Sequence, residues 1–393
     1  MRRDYPATRT QPVTTSPWLS FNRAELGGAL GDLGVFVPLL VGMVTICGLQ
    51  LGPALFCAGA MNVTTGLLFG IPMPVQPMKA IAAVAIGEGL TESQILTAGI
   101  ATGAVIFLLA VTGLITRLSR IIPKSVLRGL QLGLGLKLVV QGVGMIAATK
   151  TLFGWDSIAV GGFCGLIVLL LHGSKRVPSA LLVFGVGLIA LLVSQPQLLT
   201  ATKLGVAWGL PELSNPDHWR SGVLLGAIPQ IPLTTLNSVV AVCALSMDLF
   251  PRRGAAPRRV AISVAFMNLI CCPLGGMPMC HGSGGLASQY RFGARTGGSV
   301  VALGVVKMVL AVLFGGSLLM WLRDYPGSVL GILLMFGGLE LAAVCRDQTG
   351  RNCFAVMAAT AGVCLALNTA VGFVVGWVVA GLLSWRDLRA ETV

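Results

Sequence analysis

Two short stretches in an otherwise apolar chain carry the residue types that hold an anion. PMPVQPMK (72–79) and GGMPMCHGSGG (275–285) each interrupt a hydrophobic run. In the first, Pro72, Pro74 and Pro77 precede a short apolar segment, and proline can neither continue a helix nor donate to a sheet ladder. In the second, Pro278 is followed by Gly282, Gly284 and Gly285, which let backbone approach a ligand closely. A helix that starts after each break presents free N–H groups and the positive end of its dipole. Two such ends facing one another make a site for a small oxyanion such as phosphate or sulfate. Gln76, Lys79, His281 and Ser283 lie at these breaks and add donors. Lys79 is a cation where lipid makes cations costly. Its competing reading is a snorkelling lysine or a partner for Asp32, and for His281 it is a hydrogen-bonded packing residue.

Other polar residues sit inside apolar runs. Asp32 occurs in GALGDLG, and Gln230, Thr234, Thr235 and Asn237 occur in PQIPLTTLN. An intramembrane aspartate is a functional candidate by default, so Asp32 is expected either to carry a coupling proton or to fix Lys79. Glu340 is a second proton candidate. It falls opposite Lys137 in the repeat described below, and a buried ion pair between the two is the preferred reading. Lys307 has no partner that can be named. Cys271, Cys272, Cys280 and His281 fit no common zinc spacing. No GxxxxGK[ST] phosphate loop occurs, and no arrangement of nucleophile, base and acid argues for an enzyme. No cofactor or metal is expected.

The elements that must position these residues are membrane helices. Of 393 residues, 55% are apolar and only 10% charged, with a mean hydropathy of +0.87, against about 25% charged in soluble domains. Spans of about 20 residues, shorter for half-helices, fall near 28–47, 51–70, 76–88, 93–116, 124–146, 155–172 and 178–194. Seven more fall near 222–247, 258–274, 282–291, 298–321, 325–343, 352–367 and 370–385. With this count, twenty Lys and Arg lie in one set of loops and four in the other, and Lys79, Lys137 and Lys307 inside spans complete the 27. The bias places both termini in the cytoplasm. It also assigns the net charge of +13 to topology rather than to a nucleic-acid surface. The expected organisation is a disordered cytoplasmic tail (1–24) without a cleaved signal, a first repeat (25–194), an external linker (195–221), a second repeat (222–386) and a short cytoplasmic tail (387–393).

The repeats are visible as self-similarity. PKSVLRGLQLGLGLKL from Pro123 lies over PGSVLGILLMFGGLEL from Pro326, and the break at Met73-Pro74 over Met277-Pro278. GALGDLG from Gly28 lies over GAIPQIP from Gly226. The three matches keep their order and fall on spans 1/8, 3/10 and 5/12. Seven helices separate the copies, an odd number, so the halves must be inverted. The fold class is therefore an all-α polytopic membrane protein of 14 segments in 7+7 inverted repeats, with spans 3 and 10 as broken half-helices.

GDLGVFVPL, IPMPVQPMKAIAA, QIPLTTLNSVVAVCALSMDLFP and MPMCHGSGGLASQYRFGART resemble the MOT1-type molybdate transporters, relatives of the sulfate permease superfamily. The resemblance covers nearly the whole membrane region. It implies a core domain (spans 1–4 and 8–11) moving against a gate domain (spans 5–7 and 12–14), and secondary uptake of molybdate across the cell membrane. By motif it places Gln76, Lys79, Gln230, Thr234, Asn237, His281, Gly282 and Ser283 at the substrate, with Asp32 nearby. Only a few residues follow Trp385, leaving no room for the STAS module of many sulfate permeases. Sulfate or tungstate is the competing oxyanion, and a passive anion channel the competing mode. Relatives of this fold often form homodimers, which no residue here decides.

Overall fold

The computed structural model describes residues 17–171 and 178–390. The membrane helices of the first half are α1 (Arg23–Cys47), α2 (Leu51–Phe69), α3 (Lys79–Glu88), α4 (Glu92–Val111), α5 (Lys124–Ala148), α6 (Ile158–Leu170) and α7 (Ser179–Ser194). Those of the second half are α8 (Pro216–Leu249), α9 (Pro257–Cys271), α10 (Ser283–Arg291), α11 (Gly298–Arg323), α12 (Gly327–Ala342), α13 (Arg351–Ala366) and α14 (Thr369–Ala390). Among the described residues, eight helices are long and apolar enough to cross a membrane, and α6, α7, α13 and the apolar part of α14 are shorter apolar helices. The polar breaks in the sequence become real ends. Asn22 caps α1 by accepting from Glu25 N, and Thr91 and Gln94 form a capping box on α4. Gly48, Gly70 and Gly89 close α1, α2 and α3 in the left-handed conformation.

Several boundaries differ from expectation. Of the predicted N-terminal tail, residues 1–16 lie outside the described residues, and the rest is packed. Trp18 Nε1 donates to Leu67 O at 2.7 Å, and Ser20 N to Thr296 Oγ1 at 3.1 Å. The segment 195–221 is not a bare linker. It contains a helix, Gln197–Ala201, and its end at Pro216 already belongs to α8. Between them it is strapped across α2 and α11, where Gly205 N donates to Leu313 O, Gly209 N to Gln50 Oε1 and Lys203 N to Ser317 Oγ. At the other end, α14 continues to Ala390, into the predicted tail. Two stretches of α8, Gly222–Ala227 and Thr234–Ala241, are π-helical around Pro229 and Pro232. Proline removes an intrahelical donor, and wider turns absorb the loss.

The packing follows one rule of exchange. α2 packs on α11 and α4 on α9; α1 packs on α10 and α8 on α3; α6 packs on α12 and α13 on α5. Replacing each helix by its counterpart in the other half turns each of these contacts into its mate. α5 packs on its own counterpart, α12. Glycine makes the closest of these approaches, as expected where helices associate without a hydrophobic drive. A methyl group at Gly59 would strike the Gly304 carbonyl, and one at Gly66 the Gly297 carbonyl. Gly135 meets Gly338 and Gly142 meets Gly331 in the same way, so α5 and α12 run antiparallel.

The two breaks meet at the centre. β1 (Gln76–Pro77) and β2 (Met279–Cys280) form an antiparallel two-stranded sheet, with Gln76 opposite Cys280 and Pro77 opposite Met279. Met78 N donates to Pro278 O at 2.9 Å and closes the pair. Each strand is extended because proline forbids a helix there, and each pairs with the other because no other strand is near.

Candidate functional site

Lys79 and Ser283 each lie one turn beyond their paired residues Gln76 and Cys280, at the first positions of α3 and α10. The strands run antiparallel, so α3 and α10 leave the sheet at opposite ends. The two helix starts are not equally free. Gln230 from α8 reaches α3, and its Oε1 accepts from Ala80 N at 2.9 Å and Ile81 N at 3.3 Å. Gln230 Nε2 donates to Thr234 Oγ1 at 2.8 Å, so both residues are buried and occupied with capping. The expectation of two uncapped ends is corrected at α3: a side-chain carbonyl already satisfies two of its orphan donors. Gln230 and Thr234 act through the helix they cap.

The start of α10 is open. The N–H groups of Ser283 and Gly284 have no partner within the described residues, and Gly284 faces open space. Ser283 Oγ donates to Asn237 Oδ1 at 2.9 Å, bringing together two residues that are distant in sequence. At the start of α3, Lys79 is part-buried and has no hydrogen bond or ion pair within 4.0 Å among the described residues. The carboxylates whose fields reach it are Glu340 and Asp32. A lysine without a bonded partner at the start of α3 and unpaired N–H groups at the start of α10, where Ser283 holds Asn237, are the anion-seeking groups that the two breaks supply.

His281 lies elsewhere. Its Nδ1 is 2.8 Å from Pro74 O and its Nε2 3.0 Å from Ser263 Oγ, and its ring meets Phe69 edge-on. Both ring nitrogens are thus engaged by the protein, which corrects the expectation of direct anion contact: the packing reading describes this residue. Gly282 is the N-cap of α10, and a side chain there would collide with Gln76 Oε1. Gln76 itself is fully buried between Gly282 and Gly285, and its Nε2 donates to Asp32 Oδ1 at 2.8 Å.

Asp32 does not fix Lys79. It is fully buried, and its Oδ2 lies 4.0 Å from Lys307 Nζ. Lys307, the lysine without a nameable partner, donates to Asn62 Oδ1 at 2.9 Å and stands 3.4 Å from the Phe36 ring centroid. Asp32 thus has Lys307 as its ion-pair partner, and Lys79 has none within 4.0 Å among the described residues. The preferred pairing of Lys137 with Glu340 is also corrected. Lys137 Nζ donates to Glu88 Oε1 at the end of α3, and Glu340 is exposed. Asn62, Ser263 and Glu88 also take part in this network and were not expected from the motifs. Asn62 and Ser263 carried the signal of a polar residue inside an apolar helix, but their partners lie on other helices whose register the sequence does not contain.

The chain is similar to known proteins in sequence and in fold. The family model described as "Molybdate transporter of MFS superfamily" matches residues 24–138 and 222–341, which hold both breaks and most of α8. Molybdate transporter 1 of Arabidopsis thaliana is 39% identical, over 90% of this chain and 86% of its own. Among solved structures, SLC26A9 superposes with a TM-score of 0.67 at 14% identity, over 92% of this chain and 65% of that longer one. The transmembrane domain of the cyanobacterial bicarbonate transporter BicA superposes with a TM-score of 0.62 at 14% identity, over 90% of this chain and 97% of that domain. The two superpositions show a shared fold. The sequence matches show the family, and this chain belongs to the molybdate transporters.

Proposed function

We propose that this chain is a secondary active transporter that imports molybdate across the cytoplasmic membrane by alternating access. The observation that carries the reading is Lys79, without a bonded partner among the described residues at the start of α3, taken together with the open N-terminus of α10. A cation and a helix N-terminus together attract a small dianion. Lys79, Ser283, the Ser283 and Gly284 N–H groups and Asn237 are proposed to touch the anion. Gln76, Gly282, Gln230, Thr234 and His281 hold the two half-helices in place around it. Molybdate is the substrate because relatives across nearly the full length carry that name. Sulfate has the same charge and shape, and it is the second reading.

The transport cycle follows from the repeats. The exchange rule of the helix contacts and the antiparallel packing of α5 against α12 support fourteen spans in two inverted halves, residues 25–194 and 222–386. α1–α4 with α8–α11 form the core and the remaining helices the gate, and both termini are cytoplasmic by the positive-inside bias. Lys137 and Glu88 join gate to core, so one half-cycle must part them. Proton linkage is assigned to Asp32, because one carboxylate oxygen has no hydrogen-bond partner. Glu340, exposed on α12, is the lesser candidate.

The test is uptake of labelled molybdate into proteoliposomes, with sulfate in excess and an imposed pH gradient. Saturable uptake that resists sulfate and follows the gradient is expected. Uptake abolished by comparable sulfate moves the assignment to a general oxyanion carrier, and non-saturating flux moves it to a channel. Asp32→Asn is expected to keep molybdate exchange and lose pH-driven accumulation; accumulation at the native level removes the proton from Asp32.

A further inference from the structure

Lys307 has no part in anion binding, yet it is the most deeply buried ammonium of the described residues. It is 3% exposed, in the middle of the apolar helix α11. Three groups surround its Nζ: Asn62 Oδ1 from α2 at 2.9 Å, Asp32 Oδ2 from α1 at 4.0 Å and the face of Phe36 from α1 at 3.4 Å to the centroid. A carboxylate, an amide oxygen and an aromatic face are ligands for a desolvated monovalent cation. The carboxylate needs one, because a buried charge without a counter-charge is costly. The consequences of that pairing reach the anion site. Asp32 Oδ1 holds Gln76 Nε2, and Gln76 is wedged between Gly282 and Gly285 at the start of α10.

We propose that the Lys307 ammonium is a tethered counter-cation, occupying the place an alkali-metal ion would otherwise take beside Asp32. Lys307 is thus a positioning residue: it balances Asp32 whenever that carboxyl is charged, Asp32 holds Gln76, and Gln76 holds the two breaks together. The protein carries its own cation through the cycle and needs no sodium. The consequence for transport rests on the molybdate reading, whereas the counter-charge itself does not.

Two measurements on the full-length protein separate these parts: thermal unfolding in detergent, and labelled molybdate uptake into proteoliposomes. Each is made in sodium chloride and in choline chloride of equal ionic strength. The native protein is expected to give the same Tm and the same uptake in both salts. Lys307→Ala, which leaves Asp32 and Asn62 facing a vacated space, is expected to lose uptake by about 100-fold in choline. It is also expected to melt lower there, and to recover part of both losses in sodium. The double variant Asp32→Asn with Lys307→Ala has no unpaired buried charge, and its Tm is expected to ignore sodium. It keeps the test open if Lys307→Ala alone fails to fold. A native protein that loses Tm or uptake without sodium overturns the proposal. So does a Lys307→Ala protein with equal losses in both salts, which makes Lys307 a packing residue only, or a sodium-sensitive double variant. If the native protein takes up no molybdate in either salt, the substrate reading falls and the unfolding measurement alone decides whether Lys307 is the counter-cation.

Discussion

Lys79 and His281 stand at corresponding breaks and looked equally suited to an anion, and their surroundings separate them. Among the described residues Lys79 has no bonded partner, and the first N–H groups of α10 are also unpaired. His281 is bound at both nitrogens, to Pro74 and Ser263. Opposite outcomes follow for the two alanine variants. Lys79→Ala is expected to weaken molybdate binding by roughly 10- to 100-fold, the worth of a charge-assisted hydrogen bond, with Tm unchanged. Isothermal titration of the purified protein checks this, and an unaltered Kd removes Lys79 from the site. His281→Ala is expected to lower stability by roughly 1–3 kcal/mol through the stranded Ser263 and Pro74 groups, with Kd close to native in the fraction that folds. A selective loss of affinity would return His281 to the anion. The signal that distinguishes them was absent from the sequence, because it lies in Ser263 and Pro74 rather than in the lysine or the histidine.

At the scale of elements, the half-helices exist because proline and glycine forbid anything longer, and that much was legible in PMPVQPMK and GGMPMCHGSGG. The cap on α3 was not. Gln230 sits among ordinary helix residues, and it reaches Ala80 and Ile81 only because α8 crosses α3 at that height. The glycine contacts are similar: Gly135 and Gly338 were visible as glycines, but their mutual approach was not. Gly338→Val is expected to force α5 and α12 apart at the Gly135 carbonyl and to cost roughly 1–3 kcal/mol, as overpacking does. Thermal unfolding checks this. The same change at Gly362, where added bulk meets open space, is the control and is expected to be nearly neutral.

For the whole molecule, the question is which contacts must break for the site to change sides. The Glu88–Lys137 ion pair joins the end of α3 to α5, with 22% of the Glu88 side chain and 12% of the Lys137 side chain exposed. On the proposed division, with α3 in the core and α5 in the gate, a link at this point is expected to arrest the cycle. Glu88→Cys combined with Lys137→Cys, joined by a disulfide, is expected to abolish molybdate uptake, with recovery on reduction. Assay before and after reductant in proteoliposomes checks this, and undiminished uptake by the cross-linked protein shows that the two helices move together. Glu340, at the position in α12 that corresponds to Lys137, is exposed instead of paired, so the two halves are not in equivalent states here.

The sequence by itself determined the membrane class, most of the helices and the two breaks. Each of these depends on local facts: run length, proline and glycine. Only the tertiary structure decided which charges pair. Asp32 chose Lys307 over Lys79, and Lys137 chose Glu88 over Glu340, although residues 32 and 307 lie in opposite halves of the chain. A buried charge takes the partner that helix register brings within a few ångströms, and that register is set by glycine contacts between helices. Composition and spacing along one chain do not contain it.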